Sequence, residues 1–387
     1  MKKFTKVICL VLAIFMVMSV VSCDKSGGGY TSENDKYVIG LSGPLTGGAA
    51  VYGKAVENAA NMAIKEINEN GGLDGVEFEL IALDDAHDAT KVEANYAKML
   101  EDGMQVSLGC VTSNPCLEFS ALSAEDNVFF LTPSASNDEV PAEDNGFQMC
   151  FADGNQGSVA AKTVNDLELK EIGIFYKSDD SYSKGIYDQF KANIDKSIKT
   201  VEASFTDGNA TDFTQQISTL KDCTFIFMPI YYDPASLFMI QAKDIVSADT
   251  VYYGCDGFDG IESAEGFDIN SIPQEVTMLS HFNSKAESGM AADFVKKYTE
   301  AYGTETLNQF GASAYDCVYA IYYAMEEIID DGEEIPVTIT ASDLSDLLKD
   351  KFTEGYSYSG VTGDDITWQS NGYVNKTAVQ YVIKEAK

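Results

Sequence analysis

From residue 36 onward the chain alternates short apolar runs with amphipathic stretches, and the alternation runs through twice. Residues 37–41 form an apolar run ending in the glycine-rich SGPLTGGAAVYG. Residues 54–70 follow with Ala55, Ala59, Met62, Ala63 and Ile67 at helical spacing on one face. Gly71 and Gly72 stop that helix, and residues 77–83 supply a second strand, closing a β-α-β unit. Helix 90–101, strand 106–110, helix 115–125 and strand 128–132 complete one doubly wound α/β lobe. The order then restarts. Strands at 171–176, 200–205, 224–228 and 251–253 alternate with helices at 183–194, 213–220 and 235–245. Helices at 290–302 and 312–331 and a last strand at 378–383 follow. Two α/β lobes of one kind imply a cleft between them, the usual home of a small ligand.

The first thirty residues read as an export signal. Lys2, Lys3 and Lys6 precede an almost wholly apolar stretch, 7–21, too short for a comfortable membrane span of about 20 residues. Val20-Val21-Ser22-Cys23 resembles a bacterial lipobox, which predicts cleavage after residue 22 and lipid on Cys23. Residues 23–35 then read as a flexible polar tether. Lipid on Cys23 would hold the body outside the cell membrane. The six body cysteines, Cys110, Cys116, Cys150, Cys223, Cys255 and Cys317, show no metal-like spacing and read as small buried hydrophobes.

Charge excludes a nucleic-acid partner. The chain carries 61 acidic against 26 basic residues, a net charge of −35, and lacks the basic face that phosphate binding needs. Loss of residues 1–22, with three lysines and no acid, would take it to −38. Every basic residue is a lysine, so no guanidinium clamp can hold an anion here. A carboxylate ligand must be met by hydroxyls, backbone N–H groups or lysine.

Enzyme signatures are sparse. There is no GxSxG elbow, no GxxxxGK[ST] loop, no HExxH and no GxGxxG after a strand. His87 and His281 are the only histidines. The cluster at Asp84, Asp85, His87 and Asp88 could in principle ligate a metal, which keeps a secreted metal-dependent hydrolase as an alternative. A solvated loop at a strand end accounts for it more simply, and Asp179-Asp180 reads the same way. No catalytic residue, cofactor or metal is assigned. What recurs instead is hydroxyl residues just after strand ends: Thr112-Ser113-Asn114-Pro115 and Thr132-Pro133-Ser134-Ala135-Ser136. Both lie on one sheet edge, where hydroxyls, N–H groups and helix dipoles can receive a carboxylate. Each also has the bland reading of a helix cap.

The stretches IGLSGPLTGGAAVYG, INENGGLDGVEFELIALDD, TPSASND, DDSYSKG and GCDGFDG, in this order and spacing, resemble the bacterial branched-chain amino-acid (Leu/Ile/Val) binding proteins, extracytoplasmic receptors of ABC importers. The resemblance implies the type I Venus-flytrap fold, two doubly wound α/β lobes joined by three crossovers near residues 156, 282 and 358. Lobe 1 would comprise 36–156 and 283–358, and lobe 2 157–282 and 359–387. It also implies ligand contacts. Ser113 and Ser136 fall on the carboxylate positions, and Asp256, in Gly-Cys-Asp-Gly, falls on the ammonium position. Tyr52, Val111, Thr112, Ser134, Tyr182, Tyr231 and Phe310 fall on the side-chain pocket, Tyr231 with Tyr232 as its neighbour and alternative. A disulfide of some members would join the positions of His87 and Thr112, neither of them cysteine. The expected function is a monomeric, non-enzymatic receptor that binds a free amino acid by hinge closure and delivers it to ABC permease subunits. The tyrosine-rich pocket leaves an aromatic amino acid, an amide or a urea-like solute as the alternative ligand.

Overall fold

A computed structural model describes residues 34–386; the export signal, Cys23 and all but the last two residues of the tether lie outside the described residues. Two parallel sheets carry the structure. In the first, the order is β2-β1-β3-β4-β5, from strands β1 (Tyr37–Gly43), β2 (Phe78–Asp84), β3 (Val106–Cys110), β4 (Phe130–Thr132) and β5 (Gly146–Gln148). The second is built from β6 (Glu171–Lys177), β7 (Lys199–Phe205), β8 (Phe225–Met228), β9 (Val251–Gly254), β10 (Glu275–Ser280) and β13 (Val379–Lys384). Its order is β13-β10-β9-β8-β6-β7, with β13 alone antiparallel. A hairpin, β11 (Ser357–Gly360) with β12 (Gly363–Thr367), stands apart. The chain therefore passes between the sheets three times: after β5, after β10 and after the hairpin.

Both sheets are covered on both faces, as parallel sheets require. In the first, α1 (Ala50–Glu69) and α9 (Gln309–Asp330) pack along each other on one face. The apolar stripe of α1, including Ala55, Ala59 and Ala63, is fully buried because alanine lets the two helices approach closely. On the other face, α2 (Val92–Glu101) and α3 (Ser113–Asp126) enclose Met99, Cys110, Cys116, Phe119 and Phe130. In the second sheet, α4 (Asp153–Asp166) and α5 (Ser181–Asn193) lie together on one face, and α6 (Thr214–Leu220) and α7 (Tyr232–Ala242) complete the other. Among the remaining helices, α8 (Gly289–Tyr302) borders α1 and α10 (Ala341–Thr353) packs on α9. The six body cysteines are buried and free. No helix among the described residues is long and apolar enough to cross a membrane.

Several elements differ from the sequence expectation. Helix α7 starts at Tyr232 rather than residue 235, because Pro234 falls in the first turn, where its missing N–H has no partner to lose. Pro115 does the same in α3, which starts at Ser113. Strands β5 and β10 and helices α4 and α10 were not evident from the sequence at all.

The hairpin is pinned to the first lobe. Asp316 of α9 accepts from the Tyr358 hydroxyl at 2.9 Å and from the Val361 and Thr362 N–H groups at 2.8 Å each. The Trp368 indole donates to the Gln148 carbonyl at 2.8 Å, fixing the segment beyond the hairpin against the edge strand β5.

Candidate functional site

In both sheets the strand order reverses beside the first strand laid down, so loops at the carboxyl ends of neighbouring strands diverge and leave a crevice. In the first lobe those loops follow β1, β3 and β4; in the second they follow β6, β8 and β9. All ten residues expected in the site sit on or beside these loops, except Phe310, which enters from the first turn of α9. All are buried apart from Tyr231, which is partly exposed.

The first-lobe wall begins at the amino end of α3. Thr112 is its N-cap, yet its side chain caps nothing; the hydroxyl is 2.8 Å from His87 Nδ1. The two positions linked by a disulfide in some members of the resembled family are thus in contact here through a hydrogen bond. Ser113 accepts from the Asn137 N–H at 3.3 Å, which joins the amino end of α3 to the loop after β4. Within that loop the Thr132 hydroxyl donates to the Cys110 carbonyl at 2.8 Å and accepts from the Ser134 and Ala135 N–H groups at 3.3 and 3.1 Å. Ser134 and Val111 are buried at the strand ends, tied to the others by strand adjacency. Ser136 presents its carbonyl to the Asp153 N–H at 2.7 Å.

The second-lobe wall is organised around Asp256. Its Oδ1 accepts from the Tyr182 hydroxyl at 2.7 Å and from Gln156 Nε2 at 2.9 Å. Gln156 Oε1 accepts from the Asp256 N–H at 3.0 Å, and the Tyr182 hydroxyl accepts from the Gly257 N–H at 2.9 Å. Asp256 Oδ2 is buried with no hydrogen-bond partner among the described residues. Burial pushes this carboxyl up to about 6, against the pull of its Tyr182 and Gln156 hydrogen bonds.

The two walls meet. The Tyr52 hydroxyl donates to the Gly257 carbonyl at 2.5 Å and accepts from the Tyr232 N–H at 3.3 Å. Asn114 of α3 donates to Asp180 at 3.2 Å and accepts from the Ser181 N–H at 3.1 Å. Asn137 donates to the Ser181 carbonyl at 3.1 Å. Aromatic rings fill the space between these links. Tyr182 and Tyr231 stack at 4.5 Å with 9° between planes, His87 meets Tyr231 edge-on at 5.3 Å, and Tyr52 meets Phe310 edge-on at 4.8 Å. Tyr231 and Tyr232 divide the work: the Tyr232 ring packs on Tyr52 at 5.0 Å, whereas the Tyr231 hydroxyl is buried without a partner among the described residues.

These loops stand at the carboxyl ends of two doubly wound sheets joined by three crossovers. The sequence model described as "periplasmic binding protein" matches residues 36–385. The chain belongs to that family.

Among curated relatives of this binding protein, the Leu/Ile/Val-binding protein BraC3 of Rhizobium johnstonii is 28% identical over 340 residues, spanning 81% of this chain and 90% of the relative. Among solved structures, a leucine-binding protein, LivK, of Thermotoga maritima superimposes with a TM-score of 0.77 at 23% identity, covering 90% of this chain and 96% of the other. The branched-chain amino-acid transporter substrate-binding protein LivJ of Streptococcus pneumoniae, solved with isoleucine, gives 0.76 at 23%, covering 91% and 96%. The fold is therefore that of these type I binding proteins, and the family works outside the cytoplasm.

The Asp84–Asp88 segment of the binding protein is a tied loop. Asp84 accepts from the Leu45 and Thr46 N–H groups at 2.9 and 3.3 Å and from the Thr46 hydroxyl at 2.6 Å. Asp85 takes the Ser42 hydroxyl at 3.1 Å and the His87 N–H at 2.8 Å. Their oxygens are spent on holding the loop after β1. Among the described residues no group of three or more His, Cys, Asp or Glu could hold a metal ion.

Sequence reasoning named His87 only as a possible metal ligand and Asn114 only within the segment after β3, and it missed Asn137, Gln156 and Asp153. The last is the most unusual. It is fully buried, and neither carboxylate oxygen has a hydrogen-bond partner among the described residues. Burial pushes it well above the usual carboxylate range and the charge of Asp256 adds to this. The available signal was its spacing to Gln156 in Asp-Gly-Asn-Gln, one helical turn apart.

Proposed function

We propose that this chain is the solute-binding receptor of an ABC importer and takes a free amino acid, with leucine, isoleucine and valine as the first candidates. The observation that carries this reading is Asp256: a buried carboxylate in the second wall, braced on one oxygen and unpartnered on the other, while the first wall supplies hydroxyls and helix-end N–H groups. An α-amino acid has that polarity, an ammonium for Asp256 and a carboxylate for Ser113, Ser136 and the amino end of α3. Tyr52, Val111, Thr112, Ser134, Tyr182, Tyr231 and Phe310 then surround the side chain, with Tyr231 rather than Tyr232 toward the ligand because its hydroxyl is unspent. The names of the curated relatives and the isoleucine bound to the pneumococcal protein support the branched-chain choice.

In this reading the lobes, 36–156 with 283–358 and 157–282 with 359–387, close on the ligand by rotation at the three crossovers. The closed form docks on permease subunits as a monomer held to the membrane through lipid on Cys23. Binding makes and breaks no bond. Asp256→Ala tests the reading by titration calorimetry. An ammonium-bearing ligand should lose about 2–5 kcal/mol, because its buried charge loses a carboxylate partner. A neutral amide would lose little, and that result would assign the receptor to the amide alternative.

A further inference from the structure

The amino-acid reading accounts for one carboxylate, and the cleft contains a second. We propose that Asp153 is a ligand-binding residue that shares the ammonium of the bound amino acid with Asp256, so that the site selects ligands by that charge. The inference rests on the reading given above. Asp153 opens α4, and Gln156, three residues on and therefore on the same helix face, grips Asp256 through both ends of its amide. The carboxylate of Asp153 is thereby set toward the same end of the cleft. A Cβ placed on Gly185 would come within 3.2 Å of Asp153 Oδ2 and 3.3 Å of Asn137 Nδ2, so elements of both walls close over this carboxylate. Its own N–H donates to the carbonyl of Ser136, so Asp153 stands between Asp256 and the residue placed on the ligand's carboxylate, as an ammonium on the carbon next to that carboxylate requires.

Three of the four carboxylate oxygens of this pair, both of Asp153 and Oδ2 of Asp256, close no hydrogen bond among the described residues, and the Ser136 side chain, the one neutral group that draws the Asp153 carboxyl down, carries no charge to balance it. Two buried acids in one place, with no lysine among the side-chain partners of either, leave a demand for positive charge that an ammonium with three N–H donors can meet. Asp153 stands in the first turn of α4, after the N-cap Ala152, where its charge meets the helix dipole, and it pairs with no base.

The test is calorimetry on the purified protein, its Asp153→Asn variant and its Asp153→Glu variant, with L-leucine and its des-amino analogue 4-methylpentanoate. Asp153→Asn should weaken leucine at least tenfold and the analogue less than threefold, so that the preference for leucine collapses. Asp153→Glu, which keeps the charge, should retain that preference. The unliganded Asp153→Asn protein should melt no lower than wild type, which a structural role would not allow. If Asp153→Asn does not fold, Asp153→Ser takes its place. Leucine binding within twofold of wild type would overturn the proposal and leave the amino-acid reading standing. A wild-type protein that binds neither leucine nor any other common L-amino acid would overturn both.

Discussion

The Tyr182 hydroxyl holds Asp256 by one oxygen alone, donating to Oδ1 at 2.7 Å while Oδ2 lies buried and unpartnered among the described residues. The same hydroxyl accepts the Gly257 N–H at 2.9 Å, so one side chain fixes both the carboxylate and the turn that carries it. In the proposed reading such bracing readies the free oxygen for the ligand's ammonium, and ordering costs that would fall on binding are met during folding.

Tyr182→Phe keeps the ring stacked on Tyr231 and removes only that hydroxyl. A hydrogen bond to a charged group contributes about 1.5–3 kcal/mol. The expected outcome is a loss of that order in amino-acid affinity by calorimetry, with a lower melting temperature. An affinity unchanged within error would show that Asp256 needs no brace.

Tyr52→Phe acts on closure. The Tyr52 hydroxyl joins the Gly257 carbonyl and the Tyr232 N–H across the cleft, while its ring rests on Phe310. Losing the hydroxyl should cost about 1 kcal/mol of closed form. Stopped-flow kinetics should place most of that in faster ligand release, with the association rate little altered.

The pH dependence has a definite sign. Burial raises Asp85 and Asp256 to about 6 and Asp259 to about 7 in the folded chain, each from an ordinary value of 3.8. A raised acid contributes stability that is fully present below its unfolded value and lost as pH rises through the folded one. These acids therefore draw stability from the unliganded protein between pH 4 and 7.5, Asp256 alone by ~3 kcal/mol, and His87 and His281, which burial holds neutral, offset part of that loss below pH 6.5. Saturating ligand should flatten the slope, because its ammonium favours ionised Asp256. Calorimetric melting across that range, with and without leucine, checks both statements. A melting temperature that climbs with pH in the unliganded protein would contradict them.

Gly157→Ala tests why α4 escaped the sequence reading. Its Cβ would stand 2.6 Å from Gln189 Cβ and 2.7 Å from the Ile186 carbonyl of α5. The glycine that weakens α4 as an isolated helix is the one that lets α4 and α5 touch. Alanine, the better helix former, should destabilise the protein by about 1–3 kcal/mol through overpacking, seen as a lower urea midpoint.

That residue marks the boundary of what the sequence made legible. Where apolar periodicity was strong, as in the alanine face of α1 or the run Val106–Cys110, element type and position were readable from local pattern. Helix α4 was hidden because Gly154, Asn155 and Gly157 lower its propensity for reasons that exist only in tertiary contact. Strand β10 (Glu275–Ser280) lacked flanking signals, and β5 is three residues long. The candidate site divides in the same way. Ser113, Ser136, Tyr182 and Asp256 stand in stretches that resemble a known family, so their positions were available from one sequence. Asp153 and Gln156 lie in a helix that was not seen, and the exposed-looking composition around them gave no hint of burial. Asn114, next to Ser113, read as a cap residue, and only the second lobe reveals its partners, Asp180 and Ser181.

The central claim is that the cleft binds a free amino acid. A thermal-shift panel of the common L-amino acids and several small amides and aromatic acids tests it most directly. A ligand at 100 times its dissociation constant adds about 2.7 kcal/mol to the folded state, which is readily measured. The account predicts shifts with leucine, isoleucine and valine that vanish when the amino group is removed. A panel silent to every amino acid, with a shift from a ligand that carries no ammonium, would contradict it.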